Sequence, residues 1–326
     1  MTETKTVYGR QMMGSPIRPA PSSAEATAGR QGGLNVAGSG RGPVRRSMPP
    51  ARSTSSGQAP AAALPPTGMG RVEFGAVHEN AGHRVVLYGP GGIGKTTLAA
   101  QAPGPVAFID LDDSLPRLKT CLGAGMENVR PVSGIETWND LRDALQADGW
   151  NGIATIAIDS LTKAEELAVA HTLANVPHEK KHRVQRIEDY GFGKGYQHVF
   201  DTFLPLLGDL DRHCRAGRHV VLICHDCTST VPNPAGEDWL RYEPRLQSPN
   251  SGKASIRLRV REWADHVLFL GYDISVNEEG KGRGCGTRTL YPAELPHCMA
   301  KSRTCGQAMA VGAGQDGAAV WASIIK

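Results

Sequence analysis

The sequence predicts an α/β fold in which a mainly parallel sheet is covered by helices on both faces. Short apolar runs alternate with segments of helical spacing, as expected for consecutive βαβ units. The runs are almost continuously apolar, which is typical of strands that are buried on both sides. A glycine-rich loop follows the first run and precedes the first helical segment, a setting that favours a ligand site at the sheet edge.

Five apolar runs predict the strands and five segments predict the helices. The predicted strands are residues 84–88, 106–110, 152–159, 219–224 and part of 263–272. The predicted helices are residues 94–101, 135–147, 161–174, 196–216 and 318–325. Residues 226–255 are rich in turn formers, so we expect them to be irregular. We expect residues 287–291 and 299–302 to pair as a hairpin.

The first 70 residues differ in composition from the rest of the chain. They contain 38 Pro, Gly, Ala and Ser residues and one aromatic residue, Tyr8. Such a segment cannot bury enough apolar area to offset its ordering entropy, so residues 1–70 are predicted to be a disordered tail. Residues 71–326 are expected to form one domain. The tail carries a net charge of +6 and the domain −2, so the domain itself is not basic.

Composition excludes several classes of protein. No apolar run is long enough to span a membrane, and the N-terminus lacks the apolar segment of a signal peptide. The 7 cysteines show no regular spacing, which indicates reduced thiols rather than a disulfide framework. We therefore expect a cytoplasmic protein without a membrane partner.

The glycine-rich loop carries the most specific motif of the sequence. Its residues match the pattern G-x-x-x-x-G-K-[ST], whose backbone N–H groups cradle phosphate oxygens. Lys95 is expected to be exposed in the loop and to reach the β- and γ-phosphates, while the Thr96 hydroxyl is expected to bind Mg²⁺. The predicted cofactors are ATP and Mg²⁺. The predicted nucleotide-binding residues are Gly89, Pro90, Gly91, Gly92, Ile93, Gly94, Lys95, Thr96 and Thr97.

Acidic residues end two of the predicted strands. Asp159 closes a buried strand, where it can hold the metal through water, cap the following helix, or do both. Its neighbour is Ser160, so the catalytic base that some ATPases place directly after this aspartate must come from elsewhere. Asp112 and Asp113, at the end of the second strand, are the candidates, and the residues alone do not choose between them.

These motifs resemble those of the RecA-like ATPases. The segments FIDLDD, IAIDS and VVLICH correspond to three core strand ends of that family. The chain is most similar to phage-encoded RecA-like nucleotide-binding proteins, some of which are single-strand annealing recombinases. That similarity rests on GPGGIGKTTLA, DYGFGKGY and AKSR, and it covers about residues 84–305.

The resemblance implies roles for four further residues. Asp112 falls on the catalytic glutamate of the family and is one methylene shorter. His225 falls on a polar sensor of the γ-phosphate. Lys301 and Arg303 fall on basic residues that reach the γ-phosphate of a neighbouring subunit, which implies self-association into a ring or filament.

Two polar segments, residues 175–194 and residues 226–255, are predicted to leave the sheet at the edge where the ligand binds. In the RecA-like family such segments line a channel for single-stranded DNA, and arginines at 257, 259 and 261 follow the second one. Aromatic residues suited to base stacking are Tyr190, Phe192, Trp239 and Tyr242. Both segments also contain acidic residues, so the alternative to a DNA-binding role is an ordinary solvated loop.

We therefore expect an ATP-binding and ATP-hydrolysing protein that acts in DNA recombination or single-strand annealing, with single-stranded DNA as a possible partner. One alternative is a nucleotide-dependent assembly or regulatory switch that does not bind DNA. Another is a helicase-like motor, which the lack of a second globular domain in the sequence disfavours.

Overall fold

A nine-stranded, mainly parallel sheet forms the centre of the fold. The computed structural model describes residues 74–75, 81–122, 126–180, 184–250, 252–276, 282–312 and 317–326; the tail predicted over residues 1–70 lies outside them. The strands are β1 (Arg84–Gly89), β2 (Val106–Asp110), β3 (Val129–Val132), β4 (Thr155–Asp159), β5 (His219–Val231), β6 (Trp239–Pro244), β7 (His266–Val276), β8 (Gly282–Tyr291) and β9 (Met309–Ala310). The helices are α1 (Lys95–Ala100), α2 (Leu115–Leu122), α3 (Trp138–Gln146), α4 (Leu161–Asn175), α5 (Lys194–Arg215), α6 (Ile256–Trp263) and α7 (Gly317–Ile324).

The strand order is β3-β2-β4-β5-β1-β7-β8-β9. The first six strands of this order run parallel, whereas β8 and β9 are antiparallel additions at one edge. β6 pairs antiparallel with the second half of β5. The predicted α/β class with a mainly parallel sheet is therefore confirmed.

Helices cover both faces of this sheet. Alternate residues of β1 show the division, because Val86 belongs to the buried cluster formed with α3 to α6, whereas Leu87 belongs to the cluster formed with α1, α2 and α7. Both side chains are completely buried. In the described part of the chain, no helix combines the length and the apolarity needed to cross a bilayer.

The region predicted to be irregular over residues 226–255 contains two stretches of strand, residues 226–231 of β5 and residues 239–244 of β6. β5 continues to Val231 and pairs with β6, and its outer half contains Thr228, Thr230 and Val231, β-branched residues that favour a strand. α6 follows, with the Ser255 hydroxyl accepting the N–H of Leu258 as its N-cap. α2 and β3 were also not predicted, since both are short and weakly apolar.

The predicted hairpin between residues 287–291 and 299–302 is wrong. β8 pairs with β7 instead, with Tyr291 opposite Phe269. Lys301 forms an isolated antiparallel bridge with Val267, near the start of β7. Each of the two segments pairs with a part of β7 instead of with the other segment.

A histidine cluster lies at the amino-terminal edge of the sheet. His266 is fully buried, and its Nε2 is 2.8 Å from Nδ1 of His83. Its Nδ1 is 2.9 Å from the Ser302 hydroxyl. Burial and, to a smaller extent, the nearby His83 lower the pKa of His266 to about 4, whereas Asp265 acts in the opposite direction. The folded protein therefore favours the neutral form of His266.

We predict that the fold loses stability as the pH falls from about 6.5 towards 4. In that window the unfolded chain binds a proton at position 266 that the folded chain does not, so the free energy of unfolding rises with pH. The contribution is on the order of 2–3 kcal/mol. Thermal unfolding at pH 7.5, 6 and 5 should show this trend, and H266Q should flatten it. An unchanged slope in a folded H266Q protein contradicts the prediction.

Candidate functional site

The loop between β1 and α1 lies at the carboxyl edge of the parallel strands. Gly94 precedes α1 with φ of 103°, a left-handed conformation that favours glycine. A Cβ atom on Gly89 would lie 2.1 Å from the carbonyl oxygen of Leu270, so only glycine allows this approach to β7. The strand, loop and helix therefore stand in the arrangement that the phosphate-binding motif requires.

Lys95 lies folded into the loop and is only 6% exposed, contrary to the prediction of an exposed side chain. Its Nζ donates to the carbonyl oxygens of Gly89 at 2.7 Å and Pro90 at 2.8 Å. Burial lowers the pKa of Lys95, while the nearby Asp159 raises it. The ammonium group thus lies inside the loop, where a phosphate oxygen could replace the two carbonyls as its partner.

Thr96 and Asp159 meet at the same edge. The Thr96 hydroxyl donates to Oδ2 of Asp159 at 2.7 Å, and the Ser114 hydroxyl donates to the same oxygen at 3.1 Å. Asp159 is 5% exposed, and burial raises its pKa, an effect that Asp112 and Asp110 reinforce. Hydroxyl and carboxylate oxygens are the ligands that Mg²⁺ prefers, and a divalent cation would offset this crowding of acidic groups. The donor set therefore fits the predicted metal.

Asp112 and His225 form a second polar pair beside this one. Nε2 of His225 is 3.5 Å from Oδ2 of Asp112. The hydrogen bond from His225 lowers the pKa of Asp112, against burial, and Ser160 lowers it further. Asp113 instead has φ of 52° and borders a cavity of about 520 Å³ lined by residues of α2 and β3. The geometry thus favours Asp112 over Asp113 as the residue that faces the nucleotide loop.

One family model, described as an AAA domain, matches residues 81–304. The chain belongs to the AAA domain family. Its mainly parallel sheet and phosphate loop agree with the predicted RecA-like P-loop fold. No curated protein matches the sequence.

Two solved structures are similar to part of this chain at low sequence identity. A KaiC-like protein from the hyperthermophilic archaeon Pyrococcus horikoshii OT3 is 15% identical, with a TM-score of 0.36 over 65% of this chain and 78% of its own. A RadB recombinase is 12% identical, with a TM-score of 0.37 over 65% of this chain and 80% of its own.

The structure places Lys301 and Arg303 away from the nucleotide loop of their own AAA domain. Lys301 bridges the start of β7, at the opposite end of the parallel strands. Its Nζ donates to the carbonyl oxygen of Ala264 at 2.6 Å and so caps the end of α6. Arg303 pairs with Asp265 at 2.9 Å and keeps a side chain that is 65% exposed. From this position neither side chain reaches the nucleotide loop of the same chain.

Most arginines near the second predicted DNA segment of the AAA domain are already paired. Arg257 binds the buried carboxylate of Glu243, and Arg261 binds Glu294. Arg259 is exposed and lies 3.4 Å from the carboxylate of Glu262. Arg245 is exposed and follows β6 directly, and its backbone N–H donates to the carbonyl of His225.

The four aromatic residues predicted for base stacking differ in exposure. Tyr190 is buried, and its hydroxyl donates to the carbonyl of Val176 at 2.6 Å, so the proposed stacking role for Tyr190 is wrong. Tyr242 stacks on Phe269, with ring centroids 5.1 Å apart. Trp239 is partly buried, whereas Phe192 is fully exposed. Lys181, His182 and Arg183 of the first segment lie outside the described residues.

Sequence reasoning missed Asp110 and Ser114 as parts of the site. Asp110 accepts the backbone N–H groups of Ser114 at 2.9 Å and Leu115 at 2.8 Å, which fixes the start of α2. Ser114 thereby reaches the carboxylate of Asp159. The Ser-Leu-Pro sequence at the start of α2 is a helix-start signal that could have located Ser114.

We predict that D112N retains ATP binding but lowers the hydrolysis rate by about 100-fold or more, because the amide cannot accept a proton from water. Turnover and nucleotide affinity should be measured separately. D113N is the matched control and should keep nearly normal turnover. The reverse pattern, with D113N slow and D112N active, would assign the base to Asp113.

Proposed function

We propose that this AAA domain binds ATP with Mg²⁺ and hydrolyses it. The observation that supports this is the convergence of the phosphate loop, the Thr96–Asp159 pair and the Asp112–His225 pair at one sheet edge. The members lie in β4 and β5 or in the segments that directly follow β1 and β2, and together they supply a cation, metal ligands and a base. Such a combination matches the needs of phosphoryl transfer to water.

The residues of this site would have the following roles. Lys95 would exchange the carbonyls of Gly89 and Pro90 for phosphate oxygens. Thr96 and Asp159 would hold Mg²⁺, which supplies charge stabilisation to the phosphates when bound. Asp112 would orient the attacking water, and His225, its hydrogen-bond partner, would respond to the γ-phosphate.

The finer proposal is that ATP turnover serves DNA recombination or single-strand annealing. The exposed Phe192 and the exposed Arg245 support it, since one offers a stacking surface and the other a cation at the nucleotide edge. Phe192 lies between α4 and α5, and Arg245 directly follows β6. Single-stranded DNA is the partner whose chemistry these groups fit.

A second candidate function is a nucleotide-dependent assembly or regulatory switch that does not bind DNA. The pairing of Arg257 and Arg261 with Glu243 and Glu294 favours it, because paired arginines have less charge to offer to phosphates. DNA dependence of the ATPase separates the two functions.

We predict that single-stranded DNA accelerates ATP hydrolysis and that F192A weakens DNA binding by about 5- to 100-fold, the range for losing one stacked base. F74A is the matched control, because Phe74 is 97% exposed and lies outside the two segments. Affinity should be measured by fluorescence anisotropy at two salt concentrations, and K95A should abolish turnover. An ATPase that ignores DNA, in a protein that does not bind it, favours the switch.

We also predict that Arg303 acts on a neighbour's nucleotide. R303A should bind ATP but hydrolyse it about 10²- to 10⁵-fold more slowly, the range for a phosphate-clamping arginine. Mixing R303A with K95A should restore some turnover, because one subunit then offers an intact loop and the other an intact arginine. Two inactive proteins that co-assemble and stay inactive would contradict a shared site. Arg303 is the better target, since K301A also removes the cap of α6.

A further inference from the structure

Arg288 of β8 connects the phosphate loop to the end of the chain. Its guanidinium donates through Nη1 to the carbonyl oxygen of Ile93, within the loop. Through Nε it donates to the carbonyl of Val311 at 3.2 Å, and Nη2 lies 3.5 Å from the carbonyl of Gly312. One side chain therefore contacts two segments that are more than 200 residues apart in sequence.

The contact with Ile93 determines the direction of a neighbouring N–H group. The carbonyl of Ile93 and the N–H of Gly94 belong to the same peptide unit, and in a planar trans peptide they point in opposite directions. Because the carbonyl of Ile93 points to the guanidinium of Arg288, the N–H of Gly94 points away from it. Gly94 has φ of 103° and lacks a side chain that could fix this peptide.

The packing at this point is close. A Cβ atom on Gly94 would lie 2.3 Å from Nη1 of Arg288, so the guanidinium occupies the space next to this glycine. Among the described residues, no carboxylate pairs with Arg288; its contacts are main-chain carbonyls. Its positive charge therefore remains available to the anion that the loop would bind. A lysine has the charge but cannot bind separated carbonyls through a planar fork.

We propose that Arg288 is a positioning residue for the nucleotide: it holds the Ile93–Gly94 peptide in the orientation that binds phosphate and links the loop to the segment at Val311. The inference rests on the nucleotide binding proposed above. Arg288 is expected to affect nucleotide affinity rather than the rate of hydrolysis, because the guanidinium contacts the backbone of the loop rather than Asp112 or His225.

The test is the nucleotide affinity of R288K and R288Q, measured with fluorescent ATP and ADP analogues. Loss of a charge-assisted hydrogen bond predicts an affinity about 10- to 100-fold weaker for both nucleotides in R288Q. R288K should be affected less. Turnover at saturating ATP should remain close to the normal rate, so the defect appears in KM. R259Q is the matched control, because Arg259 is exposed on α6 and should leave affinity unchanged.

Unchanged affinity in a folded R288Q protein overturns the proposal, as does an equal loss in R259Q. If R288Q does not fold, the nucleotide affinity of R288K is compared with that of the normal protein instead. Nucleotide should slow amide hydrogen exchange over residues 309–312 of the normal protein, since the N–H of Val311 donates to the carbonyl of Arg288 at 2.7 Å. An absence of slowing, in a protein that binds nucleotide, also overturns it. A normal protein that binds no ATP would instead refute the proposed function.

Discussion

The register of the parallel strands is the constraint on which the site depends. Gly89 at the end of β1 lies opposite His225 of β5, and Asp110 at the end of β2 lies opposite Asp159 of β4. A slip of one residue would move every side chain of a strand to the other face of the sheet. Because both faces are packed against helices, such a slip would bury the polar strand ends and is strongly disfavoured. The core thus fixes the positions of the polar groups.

This alignment concentrates negative charge in a small volume, and the local electrostatics follow from it. The pKa of Asp159 is raised by burial, whereas the pKa of Asp112 is lowered by His225. Two carboxyl groups of one site thereby differ in how readily they accept a proton. Asp112 therefore keeps its negative charge more readily than Asp159, which suits a group that accepts a hydrogen bond from a water molecule.

The basic residues show why a charge pattern in sequence is weak support for a nucleic-acid site. Arg257 and Arg261 are spaced as a basic patch along the chain, yet each is bound to a glutamate brought from another element. The aromatic residues show the same weakness for exposure, because the ring of Tyr190 is buried although the nearby Phe192 is fully exposed. Sequence shows which residue types are present, but exposure and pairing depend on contacts between distant segments.

By itself the sequence determined the α/β class, the phosphate loop and the five central strands β1, β2, β4, β5 and β7. Continuous apolar runs and a glycine-rich motif are local signals that require no partner to be recognised. Only the tertiary structure decided which residues meet. It brought Asp112 to His225 and Ser114 to Asp159, and it placed Lys301 at the opposite sheet edge. The contact of Arg288 with the loop also arose there, because strand order joins residues that no local pattern connects.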